Sequence, residues 1–322
     1  MTDLSINATL QSTLNELEKE RKTVSGIKIK SYLFIGTGIL FGAAGFLISD
    51  LLIAGAIIGV VSLIVGLVIL NKASEKFNVY RHEFKSRVIA VALKSIDASL
   101  ELQYNTGLSE RSFINSQLFT QRPDRYKSED QVYGNAGKTH FSFSEVHAEY
   151  KTVTQTKNGR REHWHTILKG IVFCADFNKN FKGVTVVRPK DMGAALGAWI
   201  SDKMPIFSSS DRELVKLENT EFCETFVTYS TDQVEARYIL TPSMMERLCE
   251  LNNKTRNTIS VSFIDSYVYM GFPMSKDYFE PPVFKSLLDP KFLEEDLNVI
   301  RFMYGIIKEL DLNTRIWGKV SP

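Results

Sequence analysis

The chain has 322 residues, of which 39 are Lys or Arg and 37 are Asp or Glu, so its net charge is +2 at pH 7. No strongly basic domain stands out, and this argues against a nucleic-acid partner. Three cysteines in apolar surroundings do not fit a secreted disulfide framework and indicate reduced, buried thiols.

The N-terminal part predicts a membrane hairpin. Residues 1–30 are expected to form a cytosolic N-terminal helix. Residues 31–71 form an uncharged block interrupted only by Asp50, and each arm has about the 20 residues that cross a bilayer. Neither arm has the polar face of a soluble helix, and the first arm starts too late for a cleaved signal peptide. We therefore predict a transmembrane helical hairpin over 31–71.

Small residues repeat along both arms at steps of four, three and four. They are Gly38, Gly42, Gly45 and Ser49 in the first arm and Gly55, Gly59, Ser62 and Gly66 in the second. Such stripes let helix backbones approach closely in lipid. Folding the chain at Asp50 predicts that Gly45 faces Gly55, Gly42 faces Gly59 and Gly38 faces Ser62. An oligomer contact through the same stripes is the alternative.

Positive charges predict the orientation of the hairpin. Lys and Arg are frequent on both flanks and absent from the turn, as is typical of cytosolic flanks. We expect a multi-pass protein of the cell inner membrane with both termini in the cytosol. Residues 72–105, with apolar residues every three or four positions, predict an amphipathic stalk helix that continues out of the membrane.

The remaining chain predicts two cytosolic α+β lobes, 106–204 and 205–322. In the first, strands lead to a hairpin about Asn158-Gly159, and an amphipathic helix covers 191–203. Whether these lobes are one domain or two is left open by the sequence.

The second lobe follows a linker at 205–211. It is expected to contain short strands, including 236–240, and a helix that begins at Thr241-Pro242. A strand hairpin about Asp265 and a helix over 290–310 complete it. The predicted fold is thus a membrane-anchored α+β protein with antiparallel strands and interspersed helices.

Several stretches resemble an uncharacterised family of bacterial membrane proteins, the domain of unknown function 3137. They include Phe141-Ser142-Phe143-Ser144-Glu145 and, most specifically, the run from Asp232 to Pro242. The resemblance covers roughly residues 70–275. It implies a bacterial inner-membrane protein with a cytosolic domain, and a LemA-like membrane protein as a partner. It brings no catalytic residues.

Histidines and acids near the predicted hairpin are the first candidates for chemistry. His163 and His165 lie on one face of a strand, and Glu145, His147 and Glu149 alternate on another strand. With a turn at Asn158-Gly159, Thr154 opposes His163 and Thr152 opposes His165, while His147 lies on the other face. Because a zinc site needs three or four converging ligands, we predict no metal site.

Other candidates have ordinary structural explanations. Cys174 lies in an apolar strand and lacks a partner that would activate it. Asp232, Glu235 and Arg237 are expected on or near a strand, where Glu235 and Arg237 pair. The basic tip 157–161 is either solvated or in contact with anionic lipid headgroups.

The sequence therefore predicts no catalytic, cofactor-binding or metal-binding residues. We expect a non-enzymatic protein whose hairpin tethers a module that binds a protein or lipid partner. The alternative is a membrane-bound enzyme with a dispersed active site. The lipid bilayer is the expected partner of the hairpin, and the oligomeric state is left open.

Overall fold

The computed structural model describes residues 2–47, 52–156, 159–177, 179–190 and 212–312. The chain divides into two compact units. Unit 1 contains the chain up to Ser95 together with Phe279–Leu297. Unit 2 contains Ile96–Tyr278 and the chain from Asn298 onwards. The predicted helix 191–203 and linker 205–211 lie outside the described residues.

Unit 1 is built on two long helices. Helix α1 runs without a break over Thr2–Leu47, so the predicted N-terminal helix and first arm are one element. Helix α2 covers Leu52–Phe84, followed by a π-helical turn at Lys85–Ile89 and helix α3 at Ala90–Ile96. The helical stretch ends there, nine residues short of the predicted end of the stalk, because residues 97–100 turn into a short strand.

Both helices are long and apolar enough to cross a membrane. Their large apolar side chains point outward: Phe46 is 83% exposed, Leu47 82% and Ile53 73%. A helix that is apolar on its outer surface fits a lipid environment. The two long apolar helices predicted from the sequence are confirmed.

The glycine stripes bring α1 and α2 into backbone contact. A Cβ atom added to Gly55 would lie 2.7 Å from Cα of Gly45, and one added to Gly59 would lie 3.2 Å from Cα of Gly42. These two predicted pairs are confirmed. The third is wrong, since Gly38 faces Leu63 and the carbonyl of Gly59.

A second set of contacts in unit 1 joins the helices to residues 279–289, which we call the strap. Lys85 Nζ lies 2.6 Å from the Glu280 carboxylate, and the Lys85 side chain is only 3% exposed. The Glu18 carboxylate accepts hydrogen bonds from Arg21 and from the backbone N–H of Leu287. The bond from Arg21 lowers the pKa of Glu18. Because a buried charge is costly without its partner, these pairs fix the strap to α1 and α2.

Unit 2 is an antiparallel sheet with helices. Its described strands, in chain order, are β1 Glu101–Gln103, β2 Arg125–Ala136, β3 Thr139–Thr156, β4 Gly159–Asp176, β5 Thr185–Pro189, β6 Glu213–Leu214, β7 Phe226–Ser230, β8 Ser260–Ile264 and β9 Tyr267–Pro273. Among the described residues they form one sheet in the order β1-β2-β3-β4-β9-β8-β5-β7-β6. The predicted α+β class is confirmed.

In the described part of the chain the sheet is accompanied by five further helices: α4 Glu110–Asn115, α5 Thr220–Thr225, α6 Gln233–Ile239, α7 Pro242–Asn253 and α8 Pro290–Glu309. On one sheet face Phe272 meets Phe302 of α8 with ring centroids 5.6 Å apart. On the other face Phe113 and Leu118 pack on Val146 and Val172. The sheet thus has an apolar core on each side.

Strands from both predicted lobes share this sheet. Strand β5, from the lobe 106–204, lies between β7 and β8, from the lobe 205–322. The division at residue 205 stays a prediction, and the shared hydrogen bonds favour joint folding of the two parts.

Two local predictions are wrong. Residues 236–240 belong to helix α6, because Asp232 caps that helix by accepting hydrogen bonds from the N–H groups of Val234 and Glu235. The register of the β3–β4 hairpin pairs Thr156 with Gly159, not Thr154 with His163. The predicted start of α7 at Thr241-Pro242 is confirmed.

Replacing Gly45 and Gly55 together with Ile should lower the stability of the protein in detergent by about 1–3 kcal/mol, since overpacking forces the helices apart. The matched control is Gly36→Ile, because a Cβ at Gly36 meets no atom within 4 Å. Thermal unfolding of the purified variants measures the effect. Equal stability of the double variant and the control would contradict close packing at this face.

Candidate functional site

The structure keeps the predicted histidines apart. His163 pairs with Thr152 and His165 with Tyr150 across the β3–β4 ladder. His165 Nε2 lies 2.8 Å from the Thr152 hydroxyl, and its ring stacks on Tyr150 at 4.9 Å between centroids. His147 is five residues before Thr152 on β3 and therefore lies on the opposite sheet face. His147, His163 and His165 therefore do not converge on one point, in either the predicted or the observed register of the hairpin.

An acidic group that sequence reasoning missed lies beside His147. Ligand oxygens of Glu129, Asp130 and Glu145 all fall within 4.8 Å of one another. Asp130 is fully buried and has a φ of 56° at an irregularity of the β2–β3 ladder between Glu129 and Val132. Bulges often re-aim side chains in this way. The irregularity, and with it the cluster, has no signature in the sequence pattern.

These carboxylates already have partners within the protein. Lys127 Nζ lies 2.6 Å from Glu129, and the backbone N–H of Tyr278 donates to Glu145 at 2.5 Å. A hard cation such as Ca²⁺ takes six to eight oxygen ligands. Because the carboxylates already interact with an ammonium group and a backbone N–H, they are poorly suited to form such a coordination shell.

Two members of the cluster, Glu129 and Glu145, line a polar cleft of about 100 Å³ in unit 2. The acidic and basic side chains along it are Lys127, Glu129, Glu145, His147, Lys169, Lys276 and Asp277. Several pair with each other, as Lys169 does with Asp277 at 3.1 Å. Small-molecule sites usually measure about 300–1,000 Å³. The cleft has room for water or a small ion and not for a metabolite of ordinary size.

A larger and more apolar groove lies in unit 1, between α1 and α2. Its volume is about 440 Å³, and its lining residues are Glu20, Thr23, Val24, Glu75, Lys76 and Val79. Val79 is 62% exposed. In sequence the groove residues flank the apolar arms: residues 20–24 precede the first arm, and residues 75–79 follow the second.

Burial disfavours the thiolate form of two cysteines, Cys174 and Cys249. Burial raises the pKa of the Cys174 thiol to about 12 and that of the Cys249 thiol to about 11. Nucleophilic cysteines need the opposite shift. The predicted structural role of Cys174 agrees with this chemistry.

The charged residues near α6 are structural. The Glu235 carboxylate accepts hydrogen bonds from the backbone N–H groups of Lys182 and Gly183, the latter at 2.8 Å. Arg237 donates instead to the carbonyl and side chain of Gln233. The predicted pairing of Glu235 with Arg237 is therefore wrong, because both residues lie on a helix with other partners.

A buried arginine also escaped sequence reasoning. Arg188 on β5 donates to the backbone carbonyls of Leu118 and Gln117 at 3.2 and 3.1 Å. Its burial, with Arg212 nearby, lowers its pKa to about 10. Its hydrogen bonds anchor the segment after α4 to the sheet, and this is a structural role.

The comparisons with known proteins identify a family and no activity. No curated protein matches the sequence. Among solved structures, the chain is similar to the crystal structure of the mycobacterial trehalose monomycolate transport factor A, TtfA. The likeness has 12% identity and a TM-score of 0.36, over 71% of this chain and 95% of that one.

Residues 166–312 match the model of a family described as a protein of unknown function, DUF3137. The match begins within β4 and ends after α8, so it lies further towards the C-terminus than the predicted 70–275. The family inferred from the sequence is confirmed: residues 166–312 of this chain carry the domain of unknown function 3137.

Proposed function

We propose that this is a non-enzymatic bacterial inner-membrane protein. Its helical hairpin tethers a cytosolic α+β module, and the module with its stalk binds a protein or lipid partner. The observation that carries the proposal is the contrast between the two cavities. The polar cleft in unit 2 is small, and several of its charged side chains pair with each other. The groove in unit 1 is larger, more apolar and open to solvent.

The groove has the size and chemistry of a binding site. Its volume of about 440 Å³ falls in the range of sites that hold small molecules. Val24 and Val79 provide apolar contact, and Glu20, Glu75 and Lys76 provide a polar rim. An acyl chain or an apolar helix of another membrane protein fits such a surface. A LemA-like protein is the partner that the family resemblance suggests.

The orientation follows from the charges in the sequence. Lys and Arg flank both arms, and the connecting turn has none. On the positive-inside rule both termini lie in the cytosol. The near-neutral composition again argues against nucleic acid.

The second candidate function is a membrane-bound enzyme with a dispersed active site. The polar cleft favours it, because Glu129, Glu145 and His147 are titratable groups beside a buried Asp130. Such clusters are the usual starting point for an active site. The small volume and the internal ion pairs make it the weaker candidate.

A photocrosslinking amino acid at Val79 should capture the partner of the groove in membranes of intact cells. We expect a discrete protein adduct or a phospholipid adduct, identified by mass spectrometry. The same residue at Val234, which is 79% exposed in unit 2, is the control. Equal products at both positions, or none at Val79, would count against the proposed function.

Reporter fusions test the orientation. A reporter that is active only in the cytosol should work at either terminus, because both flanks of the hairpin carry the positive charges. A reporter that is active only outside the cytosol should be silent at Pro322. Activity of the second reporter at that position would exclude the hairpin topology.

Elemental analysis tests the enzyme alternative as a metalloenzyme. Protein purified without an affinity tag should contain metal only at background level. His163→Ala with His165→Ala should leave that level unchanged and cost about 0.5 kcal/mol or less, as is usual for exposed sites. Glu145→Gln should likewise leave the metal content at background level. Stoichiometric metal that disappears in either variant would favour the enzyme.

A further inference from the structure

The β3–β4 hairpin extends beyond both of its neighbours in the sheet. The ladder with β2 ends at the pair Arg125 and Glu149, and the ladder with β9 ends at the pair Gly170 and Pro273. Beyond them, residues 152–156 and 159–163 pair only with each other. We call this two-stranded ribbon the arm. At about 3.3 Å per residue, it projects roughly 15 Å past the sheet.

The arm lacks the core that would explain it as a stabilising element. Its described side chains are exposed on both faces. An isolated two-stranded ribbon is marginally stable in water. Stabilisation of the core therefore does not account for the arm. Its surface side chains indicate a binding role instead.

Cations collect at the far end of the arm. Arg160 and Arg161 are consecutive on β4, so they point to opposite faces and both faces of the end are basic. Among the described residues neither arginine forms an ion pair. The nearby carboxylate of Glu162 lies 3.3 Å from Lys151 Nζ. Within the described part of the arm, Arg160 and Arg161 thus form a positive surface without a carboxylate paired to it.

Trp164 and two basic side chains, Arg125 and Lys151, lie together at the base of the arm. The guanidinium carbon of Arg125 lies 3.4 Å from the Trp164 ring centroid, and Lys151 Nζ lies 5.5 Å from the same ring. Cations over a tryptophan face stabilise its orientation. The two cations therefore fix the Trp164 ring at the base of the arm.

We propose that the arm docks end-on against an anionic lipid surface. The inference rests on the proposed function, because a chain tethered by its own hairpin holds the arm near the bilayer at high effective concentration. Anionic headgroups supply the counter-charge that Arg160 and Arg161 lack, and each basic side chain near such a surface strengthens contact about fivefold. An acidic protein that pairs with the arm is the competing partner.

The test uses the full chain reconstituted in vesicles. A fluorophore is attached to Thr154→Cys in a Cys223→Ser background, since Cys174 and Cys249 are too poorly ionised at neutral pH to compete. Vesicles of phosphatidylcholine are compared with vesicles in which about a third is phosphatidylglycerol. A quencher on the lipid headgroups reports contact. We expect strong quenching only with phosphatidylglycerol, and its loss at high salt, where charges are screened.

Charge variants make the test specific. Arg160→Glu with Arg161→Glu should reduce the ratio of docked to free arm at least tenfold. The matched control is Arg111→Glu with Arg256→Glu, which changes the net charge equally at exposed positions outside the arm and should keep the quenching. Quenching that is equal in both vesicles, or lost equally in both variants, would overturn the proposal and point to a protein partner.

The tether is checked separately in the same preparation. If the chain resists alkaline extraction but quenching of the fluorophore on the arm does not depend on lipid charge, only the proposed role of the arm is refuted. A chain that is extracted would refute the tether and this proposal with it.

Discussion

The outward-facing apolar surface of α1 and α2 is the constraint on which the rest of the structure depends. Phe46, Leu47 and Ile53 are more exposed than any core residue of a soluble helix pair would be. The glycine contacts between the helices leave no room to turn these side chains inward, because Gly45 and Gly55 already meet backbone to backbone. The helices can bury this surface only against lipid or another protein. This surface favours the proposed tethering function over a catalytic one.

The sequence predicted those features whose cause is local. The apolar arms, the glycine pairs Gly45–Gly55 and Gly42–Gly59, and the cap at Thr241 each follow from a few neighbouring residues, and each is present. Helix α6 could also have been predicted. Asp232 followed three residues later by Glu235 is a helix-start signal.

Features set by distant partners could not be predicted in the same way. The hairpin register depends on the whole β3–β4 ladder, including a bulge between Ala148 and Glu149, and not on the Asn158-Gly159 turn alone. The acidic cluster arises because a second irregularity, in β2, aims Asp130 inward. The exact pairing of strands from residues more than thirty positions apart is also invisible to periodicity. The candidate cleft was therefore missed, although Glu145 and His147 were singled out.

The strap connects the segment that matches the family model to the two long helices. Residues 166–312 include Glu280 and Leu287, whose partners Lys85 and Glu18 lie on helices outside the match. Lys85 is almost completely buried beside Glu280, and removing one member of a buried pair costs about 3–5 kcal/mol. The strap of this chain is therefore incomplete without α1 and α2. For this protein part of the matched segment packs on α1 and α2, and the stability of the strap is linked to these two long apolar helices.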